Sequence, residues 1–146
     1  AEGQLAAFGL ITAVRDLADS ISGAGSLQVK VYDQNMNQRL PLALERDLYK
    51  VIQESLTNVI KHAHASEVTV QLIRHEDHLN LMVEDNGVGM EAQSSANWSQ
   101  PSSTGLGLRS IKGRVTALGG EFHIDSRPKA GTTILIDIPL AKSGPD

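Results

Sequence analysis

Three short clusters of glycine and polar residues in this 146-residue chain have compositions and spacings suited to chemistry. In the first, residues 83–90 (VEDNGVGM), an alternating apolar strand ends at Asp85 and is followed by Gly87 and Gly89. Because side chains alternate between the two faces of a strand, Asp85 shares the face of the apolar residues before it and points toward the core. An ionised carboxylate there is unfavourable unless hydrogen bonds are donated to it, and a ligand could supply a donor that the protein lacks.

A hairpin turn is the simpler interpretation of the same segment, because Asn-Gly is a common two-residue turn. However, the residues that follow, VGMEAQSS, do not alternate as a returning strand would, so the second glycine has no hairpin to serve. Two glycines this close together indicate a backbone that must approach a neighbouring group closely.

The second cluster lies on a helix predicted over residues 44–63. At about 100° per residue, Glu54, Asn58 and Lys61 fall within about 60° of one another, and the apolar residues gather on the opposite side. Carboxylate and amide oxygens suit magnesium, and a lysine suits phosphate. A solvated helix face is the alternative for this polar row, although a mid-helix asparagine, which is a poor helix former, argues against it.

The third cluster is TGLGLRSIKGR, residues 104–114. Gly105 and Gly107 lie where a loop is predicted to become a helix, so backbone N–H groups at the positive end of the helix dipole could bind phosphate. Arg109 and Lys112 favour this interpretation, because cations in a first turn oppose the dipole unless an anion lies between them. A flexible entry to the helix is the alternative.

The elements that must position these clusters follow from hydrophobic periodicity. The predicted helices span 5–21, 44–63 and 107–118, and the predicted strands span 27–33, 67–75, 78–85, 121–127 and 132–140. Only Glu76 and Asp77 separate the second and third strands, so these strands should form an antiparallel hairpin. Residues 91–104 are mostly small and polar, and we expect them to form a mobile loop.

This balance of elements predicts an α+β fold, a two-layer sandwich with helices on one face of a mixed, mostly antiparallel sheet. The composition suits one soluble domain, with 40% hydrophobic residues, a net charge of −4 and no cysteine. The absence of cysteine excludes disulfide frameworks and thiolate metal sites. We expect no nucleic-acid partner and no direct membrane contact by this segment, since it has no basic run and no apolar run of membrane-spanning length.

Four motifs in sequence order resemble those of a known superfamily. ExxxNxxKH (54–62), DNGVGM (85–90), GLGL (105–108) and GTT (131–133) resemble the N, G1, G2 and terminal boxes of the GHKL ATPases, which include gyrase, Hsp90, MutL and the sensor histidine kinases. The resemblance runs from residue 42 to residue 140. It implies the Bergerat fold, with ATP and Mg²⁺ as cofactors, in one domain over 1–140. That domain would have an N-terminal helix over 1–22, a mobile ATP lid over 91–104 and a tail over 141–146.

The resemblance also implies roles for the matching residues at the adenine and metal ends. Asp85 would accept a hydrogen bond from the adenine amino group, with Thr132 or Thr133 supporting that end through water. Asn58 would hold magnesium, and Glu54 would orient water around the metal or act as a base.

At the phosphate end, the resemblance implies that Lys61 and His62 contact the phosphates and that Lys61 belongs with Glu54 and Asn58 to the catalytic set. The remaining matching residues would shape the pocket and the lid. They are Gly87, Gly89, Met90, Thr104, Gly105, Leu106, Gly107 and Leu108.

Within the superfamily, residues 53–70 (QESLTNVIKHAHASEVTV) are similar to sensor kinases of the nitrate-sensor and DesK type, which signal to LuxR-type response regulators. This likeness implies the catalytic domain of a two-component histidine kinase, a transferase that passes the ATP γ-phosphate to a histidine. That histidine would lie on a separate dimerisation domain, in the same parent chain or its dimer mate.

None of the five histidines fits the acceptor position, and all are expected to be surface or pocket residues: His62, His64, His75, His78 and His123. We therefore expect a cytoplasmic catalytic fragment of a longer receptor, whose parent could be anchored in the cell membrane. A stand-alone serine kinase of the anti-sigma-factor type and a non-catalytic, nucleotide-dependent interaction module are alternatives. A further alternative is that the motifs are coincidental turns in a structural domain.

Overall fold

Alternating apolar residues form five strands, and apolar residues three and four apart form the helices that cover them. The computed structural model describes residues 2–25, 27–88 and 103–140. Its elements are α1 (Glu2–Phe8), α2 (Leu10–Gly23), β1 (Gln28–Gln34), α3 (Leu42–Asn58), a π-helical segment (Val59–Ala63), β2 (Glu67–Arg74), β3 (His78–Asp85), α4 (Ser103–Ala117), β4 (Glu121–Ser126) and β5 (Thr132–Pro139). The five predicted strands are confirmed to within one residue at each end.

The strands form one mixed sheet in the order β1-β2-β3-β5-β4. β1 runs parallel to β2, and the other neighbouring pairs are antiparallel. The predicted hairpin of β2 and β3 is confirmed, with Val70 opposite Val83 and Leu72 opposite Leu81. At the end of β3, Asp85 lies opposite Val68 on one side and Thr132 on the other.

The core lies between the helices and one face of this sheet. The inward-facing strand residues are buried, and they are Val68, Val70, Leu72, Leu79, Leu81, Val83, Ile134, Ile136 and Ile138. The apolar stripes of α2, α3 and α4 join them in a single cluster. On the opposite face Tyr32 and Leu135 remain 53% and 46% exposed. The predicted two-layer α+β sandwich is confirmed. Among the described residues, none of the helices combines the length and the apolarity needed to span a bilayer.

The single helix predicted over residues 5–21 is wrong, because the chain breaks at Gly9 into α1 and α2. Gly9 has a φ of +91°, in a region that residues with a side chain rarely adopt. A Cβ there would also lie 3.0 Å from Cδ of Arg39. The guanidinium of Arg39 donates to the carbonyl oxygens of Leu5 and Ala6, at 3.2–3.3 Å, and so helps to end α1. The apolar spacing continues across this break, so periodicity alone could not reveal it.

Arg39 also pairs with a buried carboxylate. Its Nη2 donates to Oε1 of Glu45 at 2.7 Å, and the backbone N–H of Leu40 donates to Oε2 at 3.3 Å. Glu45 is 2% exposed and lies in the first turn of α3, where a negative charge complements the helix dipole. The Arg39–Glu45 pair therefore fastens the end of α1 to the beginning of α3.

Two other predicted boundaries are corrected. The helix predicted over 44–63 is α-helical only to Asn58, and residues 59–63 form a wider π-helical turn. The helix predicted over 107–118 begins at Ser103, so the last two residues of the predicted loop 91–104 are helical. The rest of that loop, and the predicted tail over 141–146, lie outside the described residues.

Candidate functional site

Asp85 ends β3 as a buried carboxylate that is 7% exposed, as its place in the alternating strand predicts. Its Oδ1 accepts the backbone N–H of Gly87 at 2.8 Å, and the backbone N–H of Thr132 also donates to this side chain. Burial raises the pKa of Asp85 above its ordinary value of 3.8, and these two hydrogen bonds oppose the increase. The expectation that the protein leaves this carboxylate without donors is wrong. A carboxylate has about four acceptor positions, so it retains capacity for a donor from a ligand.

Two glycines let the backbone pack tightly around Asp85. A Cβ at Gly87 would lie 2.1 Å from the carbonyl oxygen of Ala63, and a Cβ at Gly131 would lie 2.1 Å from the carbonyl oxygen of Asp85. Gly131 also has a φ of +81°. The close approach that the sequence predicts for Gly87 is therefore made to the protein's own backbone. It brings the end of β3 against the end of the π-helical segment, where the N–H of Val88 donates to Ala63 at 2.7 Å.

Asn86 is a positioning residue that the sequence reasoning did not assign. Its Oδ1 accepts the backbone N–H groups of Ser66 and Glu67, both at 3.0 Å, and its Nδ2 donates to Oγ of Ser66 at 2.9 Å. These bonds tie the exit of β3 to the beginning of β2. The Asp-Asn-Gly sequence is therefore not a hairpin turn, and no local pattern indicated these bonds, because Ser66 and Glu67 are 20 and 19 positions away from Asn86.

The two threonines of β5 lie on opposite faces of the sheet. Thr132 pairs in register with Asp85 and shares its face, and its Oγ1 lies 2.8 Å from Oγ of Ser126. Thr133 pairs with Glu84 and donates to that carboxylate at 3.1 Å on the other face. Of the two predicted alternatives, only Thr132 is positioned to support the Asp85 end.

The polar row on α3 is reproduced for two of its three residues. Glu54 and Asn58 are both half-buried, one helical turn apart, while the apolar stripe opposite is buried in the core. In the part of the chain that the structure describes, Nδ2 of Asn58 is buried and has no hydrogen-bond partner. An unpaired buried amide in a native structure calls for an explanation, and a bound ligand is one.

Lys61 and His62 lie in the π-helical segment rather than in an α-helix. The angular step of an α-helix, which placed Lys61 in line with Glu54 and Asn58, does not apply there because a π-helix has more residues per turn. Lys61 is exposed and His62 is half-buried. π-Helical turns within α-helices often occur at functional sites.

Arg114 is a second residue that the sequence reasoning did not assign. Its Nε donates to Oε1 of Glu54 at 2.6 Å, which joins the last turn of α4 to α3. No local pattern indicated this pair, because the two residues are 60 positions apart.

The glycine-rich cluster is only partly described. Residues 103–107 are helical in α4, and Leu108 is buried in the core at 3% exposure. Leu108 therefore anchors α4 in the core. The predicted site residues Gly89 and Met90 lie outside the described residues, and for Thr104, Gly105, Leu106 and Gly107 only the backbone is described.

Together these elements place a buried acceptor, Asp85, at the end of β3 that packs against the π-helical segment, and that segment continues the helix bearing the half-buried Glu54 and Asn58. In the described part of the chain, no group of three or more His, Asp or Glu side chains is arranged to hold a metal ion. A magnesium ion beside Asn58 would therefore take most of its ligands from phosphate and water, as Mg²⁺ in nucleotide sites commonly does. The ion would take Oδ1 of Asn58, whereas the unpaired Nδ2 is a donor and suits an acceptor such as a phosphate oxygen.

Comparisons with known proteins agree with this geometry. The family model for histidine kinase-, DNA gyrase B- and HSP90-like ATPases matches residues 43–142. Sensor protein VraS of Staphylococcus epidermidis and of Staphylococcus aureus is 32% identical over 114 residues, which cover 78% of this chain. The chain spans 31% of the length of these curated relatives.

Solved structures give the same result. A blue-light activated histidine kinase of Erythrobacter litoralis superposes with a TM-score of 0.70 at 26% identity, over 90% of this chain and 42% of that chain. The histidine kinase domain of that protein superposes with a TM-score of 0.65 at 25% identity, over 89% of this chain and 63% of that chain. The chain is a member of the family of histidine kinase-, DNA gyrase B- and HSP90-like ATPases, and it is homologous to sensor histidine kinases.

Proposed function

We propose that this chain is the ATP-binding catalytic domain of a two-component sensor histidine kinase. The observation that carries the proposal is the buried Asp85 carboxylate, which accepts a backbone N–H group. The chain that leaves it packs against Ala63, at the end of the helix that bears Glu54 and Asn58. The homology to sensor kinases supports this function over a serine kinase of the anti-sigma-factor type and over a non-catalytic module.

In this proposal Asp85 accepts a hydrogen bond from the adenine amino group, and Thr132 lies at the same end. Asn58 lies where it could hold Mg²⁺, which when bound neutralises phosphate charge. Lys61 and His62 are the candidates for phosphate contact, because both lie in the segment against which the exit of β3 packs. Gly87 shapes the pocket by admitting this close packing. The further proposed pocket residues are Gly89, Met90, Thr104, Gly105, Leu106 and Gly107.

The reaction is an in-line transfer of the γ-phosphoryl group. An imidazole nitrogen of the acceptor histidine forms a bond to the γ-phosphorus, while the bond from that phosphorus to the β–γ bridging oxygen breaks and ADP leaves with the electron pair. The imidazole proton passes to a base. Glu54, whose carboxylate is half-buried beside Asn58, is our candidate to accept it or to orient the water near the metal. Catalysis then depends mainly on positioning and charge neutralisation.

We further propose that the acceptor histidine lies on a helical dimerisation domain of the parent protein and that the phosphate passes to a response regulator of the LuxR type. The likeness of residues 53–70 to the nitrate-sensor and DesK type supports the choice of regulator. The domain would act in the cytoplasm.

The test is a phosphotransfer assay with the chain, γ-labelled ATP and the separately expressed histidine-bearing segment of the parent. We expect an acid-labile label on that segment. Glu54→Gln and Asn58→Ala should reduce the rate, whereas Gln53→Ala, an exposed neighbour on the same helix, should not. An acid-stable label on a serine of an anti-sigma antagonist would instead support the serine-kinase alternative, and ATP binding without transfer to either protein would support the non-catalytic module.

A further inference from the structure

The contact between Glu54 and Arg114 connects the proposed catalytic carboxylate to a helix whose orientation the core fixes. Nε of Arg114 lies 2.6 Å from Oε1 of Glu54, a short, charge-assisted hydrogen bond. Ile111 and Val115, on either side of Arg114 in α4, are both fully buried. The backbone that carries the guanidinium is therefore held by packing, and the guanidinium in turn restricts the orientation of the carboxylate.

The position of this contact, rather than its exposure, distinguishes it from other ion pairs of the chain. The side chains of Arg114 and Glu54 are 36% and 28% exposed, as is common for a pair at the edge of a helix layer. However, the next polar residue on the same face of α3 is Asn58, whose buried Nδ2 has no hydrogen-bond partner among the described residues. The pair therefore lies beside a polar group that the described residues leave without a partner, which is the place where we expect a ligand.

We infer that Arg114 is a positioning residue for phosphate transfer, which holds Oε1 of Glu54 so that the second oxygen, Oε2, serves the reaction beside Asn58. Within the described part of the chain, Glu54 has no other hydrogen-bond partner. The inference rests on the proposed function, because it gives Arg114 a task only if Glu54 acts on the transferred phosphate, its metal or the acceptor proton. Arginine suits this task because its rigid, planar guanidinium fixes an orientation that a flexible ammonium group does not.

The chain offers a matched control. Nη2 of Arg15 lies 2.6 Å from Oδ1 of Asp33, with side-chain exposures of 46% and 31%, so length and exposure resemble those of the Glu54 pair. That pair joins α2 to β1, away from Asn58 and Asp85. A purely structural role for Arg114 predicts that Arg15→Met and Arg114→Met behave alike.

The experiment measures phosphotransfer from ATP to the parent's histidine-bearing segment, with kcat and the KM for ATP determined separately. Arg114→Met should lower kcat about 10- to 100-fold, because small misplacements of a catalytic group have effects of that size, and should change KM for ATP less than threefold. Arg114→Lys should recover part of the loss. Arg15→Met should leave both constants unchanged. In a Glu54→Gln background, Arg114→Met should produce no further loss, because the group on which it acts is absent.

If the decreases in kcat of the two single variants multiply in the double variant, the inference is overturned, since Arg114 would then act independently of Glu54. A rate increase in Arg114→Met would also overturn it, because the pair would then restrain Glu54. If Arg114→Met does not fold, the same cycle is measured with Arg114→Lys, with the same two criteria. The wild-type chain tests the proposed function separately. If the wild type binds ATP but transfers no phosphate, both the proposed function and this inference are wrong.

Discussion

Asp85→Asn tests the adenine end of the site, because it replaces one carboxylate oxygen by an NH₂ group that donates rather than accepts. A hydrogen bond to a charged acceptor contributes about 1.5–3 kcal/mol, so its loss should weaken ATP binding roughly 10- to 150-fold. The wild-type chain at an ATP concentration of about 100 times its Kd should gain about 2.7 kcal/mol of stability. For a chain of this size, that gain raises the unfolding temperature by about 5–10 °C.

At the same ATP concentration, a variant with roughly 100-fold weaker binding should gain about 0.4 kcal/mol, or about 1–2 °C. The measurement is thermal unfolding with and without Mg-ATP, accompanied by calorimetric titration. Asp125→Asn is the control, because it removes the same charge from an exposed position on β4, which β5 separates from β3. A variant at Asp85 that keeps the full wild-type shift would refute the adenine assignment.

Without nucleotide, the same substitution should not destabilise the fold at neutral pH. Burial raises the pKa of Asp85, so the folded state disfavours the ionised carboxylate that is present at neutral pH. As the pH falls through this raised pKa toward 3.8, the folded wild-type chain takes up a proton before the unfolded chain does. The stability of the wild type should therefore increase relative to the Asn variant across that window and not above it. ATP affinity of the wild type should fall over the same window, and parallel stability curves for the two chains would contradict this reasoning.

Two further substitutions test how the fold shapes the site. Gly131→Ala should lower the free energy of unfolding by at least about 1–2 kcal/mol and weaken ATP binding, because its φ is +81° and its Cβ would contact the carbonyl at the end of β3. Gly113 lies in α4 with open space around it, so Gly113→Ala should leave the free energy of unfolding unchanged or raise it by up to about 1 kcal/mol. Denaturant unfolding of both variants would show whether the space for a Cβ and the backbone φ determine the change in stability. Arg39→Met should lower the free energy of unfolding more than Arg15→Met does, because it leaves the buried Glu45 without its cation, whereas the partner of Arg15 is 31% exposed. Equal losses in the two arginine variants would show that burial of the carboxylate is not the deciding factor.

Local periodicity was sufficient to predict the sheet, the hairpin and the inward direction of Asp85. The strand residues alternate, and one register places Leu79, Leu81 and Val83 in the core, so the face of Asp85 followed from its position alone. The polar row of Glu54 and Asn58 was predictable for the same reason, since it lies opposite an apolar stripe that the core must bury.

Features that depend on tertiary contacts were not predictable in this way. The break at Gly9 depends on a left-handed backbone and on Arg39, which lies 30 residues later, while the apolar spacing continues through it. The wider turn at residues 59–63 changes the direction of Lys61 without any change in composition. Arg114 reaches Glu54 only because α3 and α4 pack together, and the partners of Asp85 are backbone N–H groups, which carry no sequence signal.

The contacts at Gly87 and Gly131 have a consequence for inhibition. At both positions a carbonyl oxygen occupies the space that the first carbon of any side chain would need. The surface beside Asp85 is thus made of main-chain atoms, and a side chain cannot be added at either position unless the backbone moves. A compound that contacts this surface would meet a shape that resistance mutations have little freedom to alter, so escape would have to arise at positions farther from Asp85.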